Sequence, residues 1–97
     1  MATFIMMTRL AAGAAKTSDD LKRLEKAVDR RIERECPGVT WKANFAILGP
    51  YDYMDIFEAE DEAVAAKVAM IIRSAGHAQT ETWSALTWER YKKLISS

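Results

Sequence analysis

Residues 46–57 read Ala-Ile-Leu-Gly-Pro-Tyr-Asp-Tyr-Met-Asp-Ile-Phe, two apolar runs joined by a break of Gly, Pro and Asp. Pro50 presets φ for the second position of a tight turn, and Gly49 tolerates the backbone beside it. The flanking runs are rich in aromatic and branched residues, so this stretch predicts a β-hairpin. The hairpin is expected to form the middle of a sheet, with the remaining chain packed around it.

The segments on either side supply that sheet and its cover. Thr3–Leu10 is a strand with Phe4, Met6 and Leu10 on one face and Ile5 and Met7 on the other. A strand apolar on both faces expects cover on both. Ala11–Lys16 is a small-residue loop, where Gly13 can take a conformation other residues resist. Thr17 or Ser18 caps a helix whose Leu21, Leu24, Val28 and Ile32 form one buried stripe. Its interleaved Lys, Arg, Glu and Asp read as a solvated face, and Pro37-Gly38 ends it. Val39–Leu48 alternates, with Val39, Trp41, Ala43, Phe45 and Ile47 on one side and Thr40, Lys42 and Asn44 on the other. Tyr53–Ala59 is the third strand. Asp61 caps a second helix that buries Val64, Val68, Ile71, Ile72 and Ala75, and Gly76 closes it. Ala78–Ala85 is the most polar strand and is expected at an edge. Leu86 and Tyr91 flank Thr87 as a hydrophobic staple, and a short helix with Trp88, Tyr91 and Ile95 on one side follows.

The order strand, helix, strand, strand, helix, strand folds through right-handed crossovers into one α+β architecture. It is the ferredoxin-like split βαβ sandwich, a four-stranded antiparallel sheet with both helices on one face. The chain of 97 residues suits a single such domain. The first strand is apolar on both sides, and the third carries Tyr53 and Phe57 opposite Met54 and Ile56. Whichever sheet face the helices leave open is therefore too apolar to remain wet. A homodimer that packs sheet against sheet is the expected cover.

Bulk properties narrow the partners. Fourteen basic residues balance fourteen acidic ones, so no global field favours nucleic acid or anionic membrane. RNA-binding relatives of this strand order need basic and aromatic residues on the central strands, whereas the third strand carries Asp52, Asp55 and Glu58. The lone Cys36 has no partner for an internal disulfide and reads as a packed small residue, which points to a reducing, cytoplasmic setting. No apolar run reaches the length of a membrane span, and Met1–Leu10 lacks the marks of a signal peptide. One His and one Cys out of ligand spacing argue against a metal, and no cofactor-binding glycine pattern or Gly-x-Ser-x-Gly elbow occurs.

The candidate site residues are polar groups near strand ends. His77 is the only residue of a type whose unperturbed pKa lies near neutrality and is the candidate proton carrier, although it can equally complete the preceding helix end. Tyr51 and Asp52 could orient a ligand or hold a proton, and Asp52 could equally bond amides of its own turn. Asp55 falls within an apolar strand and needs a partner if buried, for which Arg9 and Lys42 are candidates. Arg9, Tyr53, Asp55, Thr80 and Thr82 are the candidate ligand contacts, beside a catalytic set of His77, Asp52 and Tyr51.

Gly49-Pro50-Tyr51-Asp52 resembles the Gly-x-Tyr-Asp signature of the GYD-domain family, small proteins of uncharacterised function. The resemblance runs over nearly the whole chain, including the opening strand through Thr8 and Gly76 followed by Thr80-Glu81-Thr82. It is similar to the dimeric α+β barrel group, which implies a paired-sheet dimer. That group includes cofactor-free monooxygenases, lactone isomerases, haem-degrading enzymes and ligand-sensing domains, and shared fold transfers no activity. Asn commonly stands in this family where the chain has His77. Met6, Met7 and the Trp-rich end also set the chain apart.

Two functions compete. One is a barrel that binds a small, largely apolar molecule between sheet and helices, with cofactor-free monooxygenase or isomerase chemistry as its enzymatic form. The other is an assembly module whose apolar sheet face serves self-association alone.

Overall fold

The computed structural model describes residues 1–13 and 17–96. The loop expected over Ala11–Lys16 lies outside them from residue 14 to 16; Gly13 has φ +73°. Seven elements follow in order: β1 (Ala2–Leu10), α1 (Ser18–Glu35), β2 (Thr40–Ala46), β3 (Tyr53–Ala59), α2 (Glu62–Ser74), β4 (Ala78–Ala85) and α3 (Trp88–Ser96). The strands form one antiparallel sheet in the order β2-β3-β1-β4. This is the ferredoxin-like arrangement with a helix added at its end.

The order corrects the expected centre. β3 and β1 are the inner strands, while β2 and β4 are the edges, so only the second arm of the hairpin is central. The link between the arms is also wider than a tight turn. It spans 47–52, closed by Ile47 N donating to Asp52 O at 2.9 Å, with Gly49 at φ +131°. The reason is that Asp52 is drawn to β1: its N–H donates to Thr8 O at 2.8 Å.

The register divides the residues between two faces. Phe4, Met6 and Thr8 of β1 stand opposite Phe57, Asp55 and Tyr53 of β3, and Phe57 is fully buried beneath the helices. Ile5 and Met7 pair with Ile56 and Met54 on the opposite face. Phe57 anchors the core, with its ring 5.6 Å from Phe4 and 5.2 Å from Trp41. Val68 and Ile71 of α2 and Ile32 of α1 complete it. Cys36 packs there as a small apolar group. Ala75, expected inside, is exposed; Ala65 and Ala69 take the positions against the sheet.

A bulge breaks the expected alternation of β2. Trp41 pairs with Phe57, but Ala43 pairs with Ile56, and the register slips between them. Beyond the slip Asn44 stands beside Asp55 on the helix face, and Phe45 beside Met54 on the other. A single extra residue moves every later side chain to the opposite face.

Both main helices are capped as their sequences require. The Thr17 hydroxyl accepts from Asp20 N at 3.1 Å, and Asp61 Oδ1 from Val64 N at 3.0 Å. Gly76, at φ +79°, ends α2 and turns the chain toward His77. α1 lays Ile32 into the core, with Val28 packed beside it. No helix among the described residues is long and apolar enough to cross a membrane.

Candidate functional site

Between α1 and the β2–β3 half of the sheet lies a cavity of about 410 Å³. Val28 and Ile32 of α1 and Trp41 of β2 give it apolar walls. Asn44, Tyr53 and Asp55 enter from the strands, Thr8 from β1, and His77 from the link that Gly76 starts. Volume and lining fit a small-molecule site, mostly apolar with a few convergent polar groups.

Burial governs the chemistry of these groups. His77 is 6% exposed, and its Nδ1 has no hydrogen-bond partner. Its backbone carbonyl accepts from Ala11 N at 2.9 Å. An orphaned, buried imidazole nitrogen costs free energy that a ligand donor can recover. Asp55 accepts from Asn44 Nδ2 at 2.6 Å, not from Arg9 or Lys42; the bulge supplies the amide, and Lys42 instead lies 3.8 Å from Glu58. Burial pushes the Asp55 carboxyl above the ordinary carboxylate range, with Glu25 adding repulsion and the Asn44 bond opposing both. The Tyr53 phenol is pushed up to about 12, first by burial and then by the neighbouring Glu25 carboxylate.

Three acids of α1 stand where its solvated face, with Asp29 and Glu33 exposed and Glu25 half-buried, meets the apolar stripe. Glu25, Asp29 and Glu33 recur every four residues and line the cavity beside Val28 and Ile32. Asp29 is raised by burial and by the charges of Glu25, Asp55 and Glu33. The signal available was that row of acids immediately flanking the apolar stripe. Among the described residues, no three His, Cys, Asp or Glu are grouped so as to hold a metal ion.

Tyr51, Asp52 and Arg9 stand elsewhere, around the 47–52 loop. Asp52 Oδ2 accepts from Leu10 N at 2.7 Å. The Tyr51 hydroxyl donates to Glu81 Oε2 at 2.6 Å, and the Arg9 guanidinium sits 5.1 Å above the Tyr51 ring while Nε donates to Pro50 O. Trp83 Nε1 lies 3.4 Å from the other Glu81 oxygen. These residues bind the loop to β1 and β4. Thr80 and Thr82 face the helices from β4 with buried hydroxyls that have no partner, and neither lines the cavity. The structure thus unites His77, Tyr53 and Asp55 and separates them from Tyr51, Asp52, Arg9, Thr80 and Thr82.

The Gly49-Pro50-Tyr51-Asp52 loop therefore has a defined structural task, and the whole chain around it matches the GYD domain over residues 4–95. The chain belongs to the GYD domain family. A relative from Thermus thermophilus, the glutamine synthetase and cystathionine beta-lyase binding protein, is 36% identical over 86 residues, covering 89% of this chain and 90% of its own. Among solved structures, HapK from Hahella chejuensis superposes with a TM-score of 0.60 at 18% identity, over 90% of this chain and 92% of its own. LrpC from B. subtilis gives 0.59 at 16% identity over 89% of this GYD domain, which spans about half (51%) of LrpC. At these identities the two structures speak for the fold alone.

Proposed function

We propose that this GYD domain is a homodimer that binds a small, largely apolar molecule in the cavity beneath α1. The observation that carries the reading is His77, which lines a cavity of about 410 Å³ and whose buried Nδ1 has no hydrogen-bond partner. Tyr53, Asp55 and Asn44 orient the ligand, and the 47–52 loop, held by Tyr51, Asp52 and Arg9, fixes the start of β3 on which Tyr53 sits. If the bound molecule reacts, Asp55 and His77 are the groups that exchange protons with it. The second copy covers the face that bears Ile5, Met54 and Ile56, where Phe45 and Trp83 are 53% and 46% exposed. The test is a thermal-shift screen of small amphipathic metabolites against the wild type and Val28→Trp. Hits should raise the melting temperature of the wild type and leave the filled cavity of the variant unmoved. Equal shifts in both proteins would contradict the reading.

A second reading takes this chain as a protein-binding module, and α3 favours it. The helix buries none of its residues, and Trp88, Leu94 and Ile95 are exposed along it. The name of the Thermus thermophilus relative, a binding protein for two enzymes, agrees with such a role. Binding of glutamine synthetase or cystathionine beta-lyase that is lost in Trp88→Ser would support it; undiminished binding by that variant would remove α3 from the account.

A further inference from the structure

Resting on the cavity reading, we propose that the ligand is a small organic amine whose ammonium group donates to His77 Nδ1 and lies among the carboxylates of Glu25, Asp29, Glu33 and Asp55. Those four acids line the cavity and no Lys or Arg does. Several basic residues are engaged elsewhere: Arg31, Arg34 and Lys67 converge on Glu35 from α1 and α2, and Lys42 faces Glu58. Among the described residues, none of the four acids has a cationic side chain within ion-pair distance.

Uncompensated negative charge in a partly desolvated space repels an anion and gives a neutral molecule nothing in return. Burial first, and then the charges of neighbouring acids, raise the carboxyls of Asp29 and Asp55, with the Asn44 bond opposing at Asp55. A bare metal ion would need several oxygen ligands converging at short range, and no such group of three is present among the described residues. An organic cation does not need them. Its charge is satisfied by carboxylates at several ångströms and by aromatic rings, and Trp41 and Tyr53 both line the cavity. Its N–H gives the unpartnered His77 Nδ1 a donor to accept from, in the tautomer that carries the ring proton on Nε2. The apolar stripe of Val28 and Ile32 takes the hydrocarbon body.

Three probes of one shape separate the possibilities at neutral pH: phenethylamine, phenethyl alcohol and hydrocinnamate. Affinity is read by calorimetry, and location by the imidazole nitrogen resonances of His77, the sole histidine of the chain. The amine should bind about tenfold or more tightly than the alcohol, the carboxylate more weakly than either, and only with a shift at His77 Nδ1. Asp29→Asn combined with Asp55→Asn should bring amine and alcohol toward parity. Alcohol or carboxylate binding as tightly as the amine, with His77 responding, overturns the charge assignment and leaves the cavity reading standing. Amine binding that leaves His77 unmoved overturns the assigned site. If none of the three binds and no molecule in the thermal screen does, the cavity reading itself falls.

Discussion

The hydroxyl of Tyr51 and the carboxylate of Glu81, 2.6 Å apart, tie the 47–52 loop to the edge strand β4 across β1. The bond raises the Tyr51 phenol above its ordinary value, with the Glu81 charge adding to it and Arg9 opposing. Because Tyr51 and Glu81 act as a unit, their removal should not be additive. Tyr51→Phe and Glu81→Gln should each lower the melting temperature, and the double variant should lose less than the sum. A fully additive cycle would show that the pair contributes nothing.

Asp55 destabilises the fold when charged. Its folded-state pKa lies above the unfolded value of 3.8, so the native state holds the proton more tightly. Stability therefore falls as pH rises from the unfolded value through the folded one, and stays reduced at neutrality. Asp55→Asn keeps an acceptor for Asn44 and removes the charge. Its melting temperature should exceed that of the wild type at pH 7, and the advantage should vanish on acidification below the unfolded value.

Phe57 holds the centre of the core against Phe4 and Trp41 and is fully buried. Phe57→Ala should cost about 3–5 kcal/mol, from the lost transfer energy and the cavity left behind. Urea unfolding measures it, and a loss below about 1 kcal/mol would contradict the packing described.

Ile56 stands at the middle of the uncovered sheet face, opposite Ile5 on β1 and beside Ala43 on β2. Light scattering should give twice the chain mass for the wild type and the single mass for Ile56→Lys. The variant should keep the wild-type circular dichroism, because its side chain does not enter the core. A wild type that scatters as one chain at micromolar concentration removes the dimer.

The fold was legible where local chemistry and periodicity agree. Thr17 and Asp61 cap as their positions foretell, Gly76 ends α2, and the two apolar faces of β1 separate as the alternation requires. The bulge between Trp41 and Ala43 was not legible, because no Gly or Pro marks it and each residue there is at home in a strand. It alone decides that Asn44 meets Asp55. The site was half legible. Asp55 is visible as an acid within an apolar strand, His77 as the lone histidine past a helix end and Tyr53 as a candidate contact, and all three line the cavity. The contribution of Glu25, Asp29 and Glu33 was hidden by the interleaved Lys and Arg of α1, of which Arg23 pairs with Asp20 and Arg31 with Glu35 in the fold. Tyr51 and Asp52 carry the family signature, yet their bonds go to β4 and β1.

The cavity beneath α1 is the centre of the account, and a crystal structure of the wild type grown with the strongest hit of the thermal screen tests it most directly. The ligand should lie between Val28 and Trp41 with a donor within hydrogen-bond distance of His77 Nδ1. A ligand ordered on the outer sheet face or against the 47–52 loop, with the space beside His77 left to solvent, would contradict it.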